Sequence, residues 1–128
     1  MAKKEVIIMP NTENRPYSSA VRAQDFIFVS GCSGTVDAGG NPVEGIKAQT
    51  RQCLENIKRV LSAAGASLGD VVKVQVFITR AEDWAPMNEA YKEYFPVECP
   101  ARSALVTGLI RPEMLVEIEC IAYKPKEN

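Results

Sequence analysis

The sequence predicts an α+β domain in which a mixed β-sheet carries two helices on one of its faces. Three observations predict it. Apolar residues recur at helical spacing in two separate stretches, several short runs read as strands, and 128 residues suffice for one core but not for two. Taken in order, Glu5 to Met9 and Asp25 to Ser30 read as strands, the second through Phe26, Ile27, Phe28 and Val29. Asp37-Ala38-Gly39-Gly40-Asn41-Pro42 is a turn by composition. From Ile46 to Ala64 the residues Ile46, Cys53, Leu54, Ile57, Val60, Leu61 and Ala64 form one apolar stripe, and Gly65 supplies the C-terminal cap. Val71 to Ile78 alternates, with Val72, Val74, Val76 and Ile78 set against Lys73, Gln75 and Phe77. Asp83 is expected to cap a second helix that carries Trp84, Met87, Asn88, Tyr91 and Phe95 along one side and stops at Pro96. Ala101 to Val106 and Leu115 to Tyr123 complete the pattern, the latter with Ile118, Cys120 and Ala122 on one face and Glu117, Glu119, Ile121 and Tyr123 on the other.

Two helices can cover only one face of such a sheet. On the uncovered face Gln75, Phe77, Glu117, Glu119, Ile121 and Tyr123 mix charge with large apolar side chains that sit poorly in water. A homo-oligomer packed through this face, with polar pockets between subunits, is therefore expected.

The chain contains no histidine. That removes the Ser-His-Asp and Cys-His nucleophile systems, and acid–base work falls to Glu, Asp, Tyr, Cys, Lys or water. Lys+Arg 15 against Asp+Glu 16 leaves a net charge of -1, which gives no reason to expect nucleic acid or an anionic membrane as partner. Cys32, Cys53, Cys99 and Cys120 are scattered, so they read as reduced, mostly buried thiols and not as a metal site. Met1-Ala2-Lys3-Lys4-Glu5 leads into only four apolar residues, too short a run for a signal peptide, and a cytoplasmic location is expected. Gly39-Gly40 lacks the further glycines and the lysine of a phosphate loop.

Candidate site residues stand out by chemistry. Arg102, in Pro100-Ala101-Arg102-Ser103, places a planar, always-charged fork in a small apolar strand, suited to a carboxylate or, alternatively, to pairing with Glu117 or Glu119 of a neighbouring strand. Glu119 can take a proton from water if its pKa is raised in a partly buried interface, or it can simply be solvated. Tyr17 follows a proline that fixes its backbone, Ser30-Gly31 ends a strand where a hydroxyl and a bare Cα can face a ligand, and Asn88 lies beside an apolar stripe. Each of these three also has an ordinary packing role open to it.

Taken in this order and at this spacing, Pro16-Tyr17-Ser18, Val29-Ser30-Gly31, Lys47-Ala48-Gln49-Thr50, Ala64-Gly65-Ala66-Ser67-Leu68, Met87-Asn88-Glu89-Ala90-Tyr91, Pro100-Ala101-Arg102-Ser103 and Val116-Glu117-Ile118-Glu119 resemble the Rid (RidA/YjgF) family from about Pro16 to Ala122. The resemblance implies a chorismate-mutase-like fold, a homotrimer with sites between subunits, and hydrolysis of 2-imino acids such as 2-iminobutanoate and 2-iminopropanoate to 2-oxo acids and ammonia without a cofactor. It implies Arg102 as carboxylate anchor, Glu119 as the group that holds or activates water, Tyr17, Ser30, Gly31 and Asn88 as pocket residues, and a backbone carbonyl at Ala104 to orient the iminium nitrogen. Cys32, Ala104 and Arg15 depart from the family's common glutamine, cysteine and glycine and put pocket shape in question. The alternatives within this frame are a deaminase for a larger enamine acid such as 2-aminomuconate, or a non-catalytic trimer that binds 2-oxo acids or acts like a chaperone.

Overall fold

The computed structural model describes residues 3–127; Met1 and Ala2 of the N-terminal run lie outside the described residues. Its elements are β1 (Glu5–Ile7), β2 (Ala20–Ala23), β3 (Phe26–Ser33), α1 (Ile46–Ala63), β4 (Val71–Ile78), α2 (Trp84–Tyr94), β5 (Ala101–Val106) and β6 (Val116–Tyr123). The six strands form one sheet in the order β1-β2-β3-β6-β4-β5. β4 and β5 run parallel, joined by the α2 crossover, and the other pairings are antiparallel. The mixed sheet and two helices expected from the sequence are thus present.

β2 is a strand that the sequence pattern hid. Arg22 stands in it on the buried side, where an alternating pattern calls for an apolar residue. The guanidinium is satisfied by three carbonyls: Nη1 donates to Gln24 and Lys124 at 3.0 and 2.7 Å, and Nη2 to Ala64 at 3.2 Å. Charge-assisted bonds to carbonyls let a cation occupy a core position. The two-residue turn Gln24-Asp25 then leads into β3, with Gln24 at φ 54.

In α1 the residues Cys53, Leu54, Ile57, Val60 and Leu61 are buried against the sheet, as the stripe predicts. The helix ends in a Schellman motif: Ala66 N–H donates to Leu61 at 2.8 Å, Gly65 N–H to Ser62 at 3.0 Å, and Gly65 takes φ 83. α2 runs beside α1 in the same direction, tied across the surface by Lys47–Glu89 at 3.0 Å and a two-pronged Arg51–Glu93 pair. Gln49, buried at the start of α1, donates to Val43 and Glu113 and accepts from Leu115 N–H, so it stitches the β5–β6 connection to the helix.

Two expectations need correction. Val72 does not join the buried face of β4, because a bulge between Val71 and Lys73 turns it outward to 45% exposure. Asp83 is not a side-chain cap, since a 3₁₀ turn over Ala81–Asp83 precedes α2 and the buried Asp83 carboxylate instead holds Arg80 at 2.7 Å.

Candidate functional site

Strand register decides which candidate residues can meet. Arg102 and Ala104 stand opposite Val74 and Val76 of β4, both buried under the helices, so their side chains belong to the helix-covered face. Glu119 and Glu117 stand opposite Gln75 and Phe77, so theirs belong to the uncovered face. Within one chain, therefore, Arg102 does not pair with Glu117 or Glu119, and that sequence-level alternative is excluded. The same register separates the Arg102 guanidinium from the carboxylates.

On the helix side, Arg102 projects from β5 onto an aromatic bed. Its guanidinium carbon lies 4.7 Å from the ring centroid of Tyr91 and 5.1 Å from that of Trp84, both on α2. Stacking on two π-faces fixes the plane of the fork while leaving its N–H edges unspent. No carboxylate pairs with it among the described residues. Arg102 shares with Asn88, Tyr91, Lys92, Phe95, Cys99 and Pro100 a cavity of about 340 Å³. Asn88 is half-buried there, and Ala104 follows two residues along β5. The Tyr91 hydroxyl is buried without a hydrogen-bond partner among the described residues. Burial pushes its pKa up to about 12, with the Arg102 charge opposing. Tyr91 was legible in the sequence only as an apolar-stripe residue, and the orphaned hydroxyl beside a free guanidinium could not be read there.

Tyr17, Ser30 and Gly31 come together elsewhere, in a cavity of about 590 Å³ bounded also by Cys32, Asn56 and the side chains of Arg15, Arg59 and Arg111. A bulge brings this about. Val29 pairs with Cys120 and Cys32 with Ile118, so Ser30 and Gly31 together oppose the single residue Glu119. The Ser30 hydroxyl donates to the Ser18 carbonyl at 2.7 Å, which locks the segment carrying Tyr17 to β3. Tyr17 itself is 53% exposed, with the Arg15 guanidinium 5.9 Å from its ring centroid.

The carboxylate against Gly31 is that of Glu117. A Cβ at Gly31 would come within 2.9 Å of Glu117 Cδ, so a residue without a side chain is required for this approach. Burial raises the Glu117 pKa above its ordinary value, the Glu119 charge adds to the rise, and Arg111 opposes it. Burial likewise pushes the Cys32 thiol up to about 11 and Cys120 to about 12, and Cys53 rises for the same reason. These thiols are held protonated and are poor nucleophiles at neutral pH.

The fold is an α+β domain whose sheet carries the stacked Arg102 guanidinium on its helix-covered face and the Glu117 and Glu119 carboxylates on the other. Residues 10–124 match the family described as Endoribonuclease L-PSP, and the chain belongs to that family, the Rid (RidA/YjgF) family that its motifs resemble. A RutC family protein of Pyrococcus horikoshii is 48% identical over 124 residues, covering 94% of this chain and 98% of the relative. The 3-aminoacrylate deaminase RutC of Acinetobacter baylyi is 39% identical over 124 residues, again 94% of this chain and 98% of the relative. Among solved structures, RidA from the Antarctic bacterium Psychrobacter sp. PAMC 21119 superposes with a TM-score of 0.79 at 38% identity, covering 86% of this chain and 89% of that one.

Proposed function

We propose that the protein is a cytoplasmic deaminase that hydrolyses reactive 2-imino or enamine acids, 2-iminobutanoate and 2-iminopropanoate among them, to 2-oxo acids and ammonia. The observation that carries this reading is Arg102, a guanidinium stacked on Tyr91 and Trp84 with no carboxylate partner among the described residues, in the wall of a small cavity. A fixed, unspent fork suits a substrate carboxylate. Relatives named as deaminases support the same reading.

The chemistry asks little of the chain. In the protonated imine the carbon is already electrophilic; water adds to it and gives up a proton, that proton is returned to nitrogen, and the C–N bond breaks as the new hydroxyl gives its remaining proton to a protein carboxylate, which releases ammonia and leaves the 2-oxo acid. Arg102 fixes the carboxylate, Asn88 and the Ala104 carbonyl orient the imine nitrogen, and a carboxylate on the other half-site takes the water's proton. The sequence reading gives that last role to Glu119. We assign it to Glu117, because its carboxylate abuts Gly31 and burial raises its pKa above the ordinary carboxylate value.

One chain presents Arg102 and Glu117 on opposite faces of its sheet, so a complete site takes two chains. A homotrimer with a chorismate-mutase-like arrangement, packed through the uncovered face, supplies them. Phe26, Phe28, Leu105 and Tyr123 on that face are each at least 42% exposed in the single chain.

Coupling the purified protein to an amino-acid oxidase or a threonine dehydratase and following imine loss tests this directly. Arg102→Ala is expected to lower kcat/KM by about 100-fold or more while the fold is retained, and Arg102→Lys to rescue poorly because a point charge lacks the fork. Wild-type turnover in Arg102→Ala overturns the anchor. Binding of 2-oxobutanoate with no acceleration of imine loss instead supports a non-catalytic trimer.

A further inference from the structure

The cavity beside Gly31 is walled by three arginines drawn from three separate parts of the chain: Arg15 from the turn before β2, Arg59 from α1 and Arg111 from the β5–β6 connection. Among the described residues that line it none is acidic. Each guanidinium is oriented by a neutral neighbour. Arg15 lies over the Tyr17 ring, Arg59 Nη2 donates to Asn56 Oδ1 at 2.5 Å, and Arg111 Nη2 reaches Thr35 Oγ1 at 3.4 Å. Of the three, Arg111 alone also meets a carboxylate among the described residues, Glu113 at 3.3 Å. Three like charges facing one hollow repel one another, and an anion placed among them relieves that repulsion. The hydroxyls nearby add donors. Ser19 Oγ accepts from Met9 N–H and keeps its own proton, and Ser33 Oγ lies 3.5 Å from Arg111. At Cys32 burial and the Glu117 charge raise the thiol pKa, while Arg59 and Arg15 both act to lower it, so the fields of these two arginines reach the same point.

The position of the hollow matters as much as its charge. Tyr17, Ser30 and Gly31 belong to its wall, and the Glu117 carboxylate stands behind Gly31. A substrate whose reacting carbon lies near Gly31 has room to extend its side chain toward the arginines. A volume of about 590 Å³ has room for more than the methyl or ethyl group of the simplest imino acids.

We propose that this cavity is a second anion subsite, and that the preferred substrates are 2-imino acids whose side chain ends in a carboxylate or a phosphate. The proposal rests on the deaminase reading. Arg102 holds the carboxylate beside the imine, and Arg15, Arg59 and Arg111 hold the distal group. Because the three arginines are exposed in the single chain, the preference is sensitive to salt.

Calorimetric binding of three product analogues to the full chain at low ionic strength tests it: 2-oxobutanoate, 2-oxoglutarate and 3-phosphonooxypyruvate. The two analogues with a distal anion are expected to bind at least about tenfold more tightly than 2-oxobutanoate, the tighter of the two identifying the distal group as carboxylate or phosphate. Arg59→Gln, a helix-compatible change on an exposed turn of α1, brings all three within about threefold and leaves 2-oxobutanoate where it was. Equal affinity for the three analogues in the wild type, or a preference that survives both Arg59→Gln and Arg15→Gln, overturns the subsite. Arg102→Ala separates the two readings. If it weakens all three ligands while no preference for a distal anion exists, the deaminase site stands and the subsite falls. If binding of the analogues with a distal anion responds to Arg59→Gln but not to Arg102→Ala, the cavity binds anions apart from the imine site and the substrate preference is refuted. An RNA oligonucleotide that binds through Arg59 while neither of these analogues does so refutes it as well.

Discussion

At the scale of single residues, the decisive contact is between a missing side chain and a carboxylate. Gly31→Ala puts a methyl group where the Glu117 carboxylate now rests, and that flexible end swings away at small energetic cost. Imine turnover is expected to fall about 100-fold with stability changed by less than about 1 kcal/mol, read by steady-state kinetics beside urea denaturation. Glu117→Gln should lower kcat about 100-fold with little effect on 2-oxobutanoate binding, and Glu119→Gln much less; the reverse order would return the role to Glu119. The wild-type rate should climb with pH through a value above the ordinary carboxylate pKa, because burial and Glu119 keep the Glu117 proton on longer. The same shift has a stability sign: the fold holds that proton more tightly than the unfolded chain, so stability declines as pH rises through the window, and Glu117→Gln abolishes this decline. The four thiols divide as well. A disulfide reagent at neutral pH should label exposed Cys99 first and leave Cys32, Cys53 and Cys120 slow, as counted by the released thiolate. Arg102 and Tyr17 were legible in the sequence because a charge in an apolar strand and a ring after proline are local oddities. Arg59 and Arg111 were not, since nothing local to either marks it and only the fold brings them to one hollow.

At the scale of elements, α1 and β6 were legible because their periodicity is unbroken, β6 alternating buried and half-buried residues from Val116 to Ala122, and β4 was legible from Lys73 onward, beyond its bulge. Three N-terminal strands or strand pieces were expected, but β2 could not be located among them, because Arg22 reads as solvent-facing unless the three carbonyls that accept from it are known. β3 runs three residues beyond the expected Ser30, since a bulge lets a strand continue past a Gly that otherwise signals its end. Just beyond it, Gly34 crosses α1 so closely that a Cβ there would strike the Gln49 carbonyl and lie 2.9 Å from Cys53 N. Both are backbone atoms of a helix anchored in the core, so neither can yield as the Glu117 side chain can. Gly34→Ala is expected to cost about 3 kcal/mol in chemical denaturation, far more than Gly31→Ala.

At the scale of the whole molecule, the uncovered face was legible from alternation alone, and Phe26 and Tyr123 meet on it edge to face at 5.2 Å. The division of the proposed site was not legible, because it needs the β4 register that sets Arg102 beside Val74 and Glu119 beside Gln75. That division, as proposed, predicts a genetic signature. In the proposed ring each subunit would lend its Arg102 side to one junction and its Gly31 side to the next, so lesions on the two sides would belong to different complementation groups despite lying in one polypeptide. Co-folding equal amounts of Arg102→Ala and Glu117→Gln chains should place two intact halves at about a quarter of the junctions and revive imine hydrolysis to about that fraction of wild type, although each parent is inactive alone. Activity no higher than the parents' sum would mean that each site is completed within a single chain.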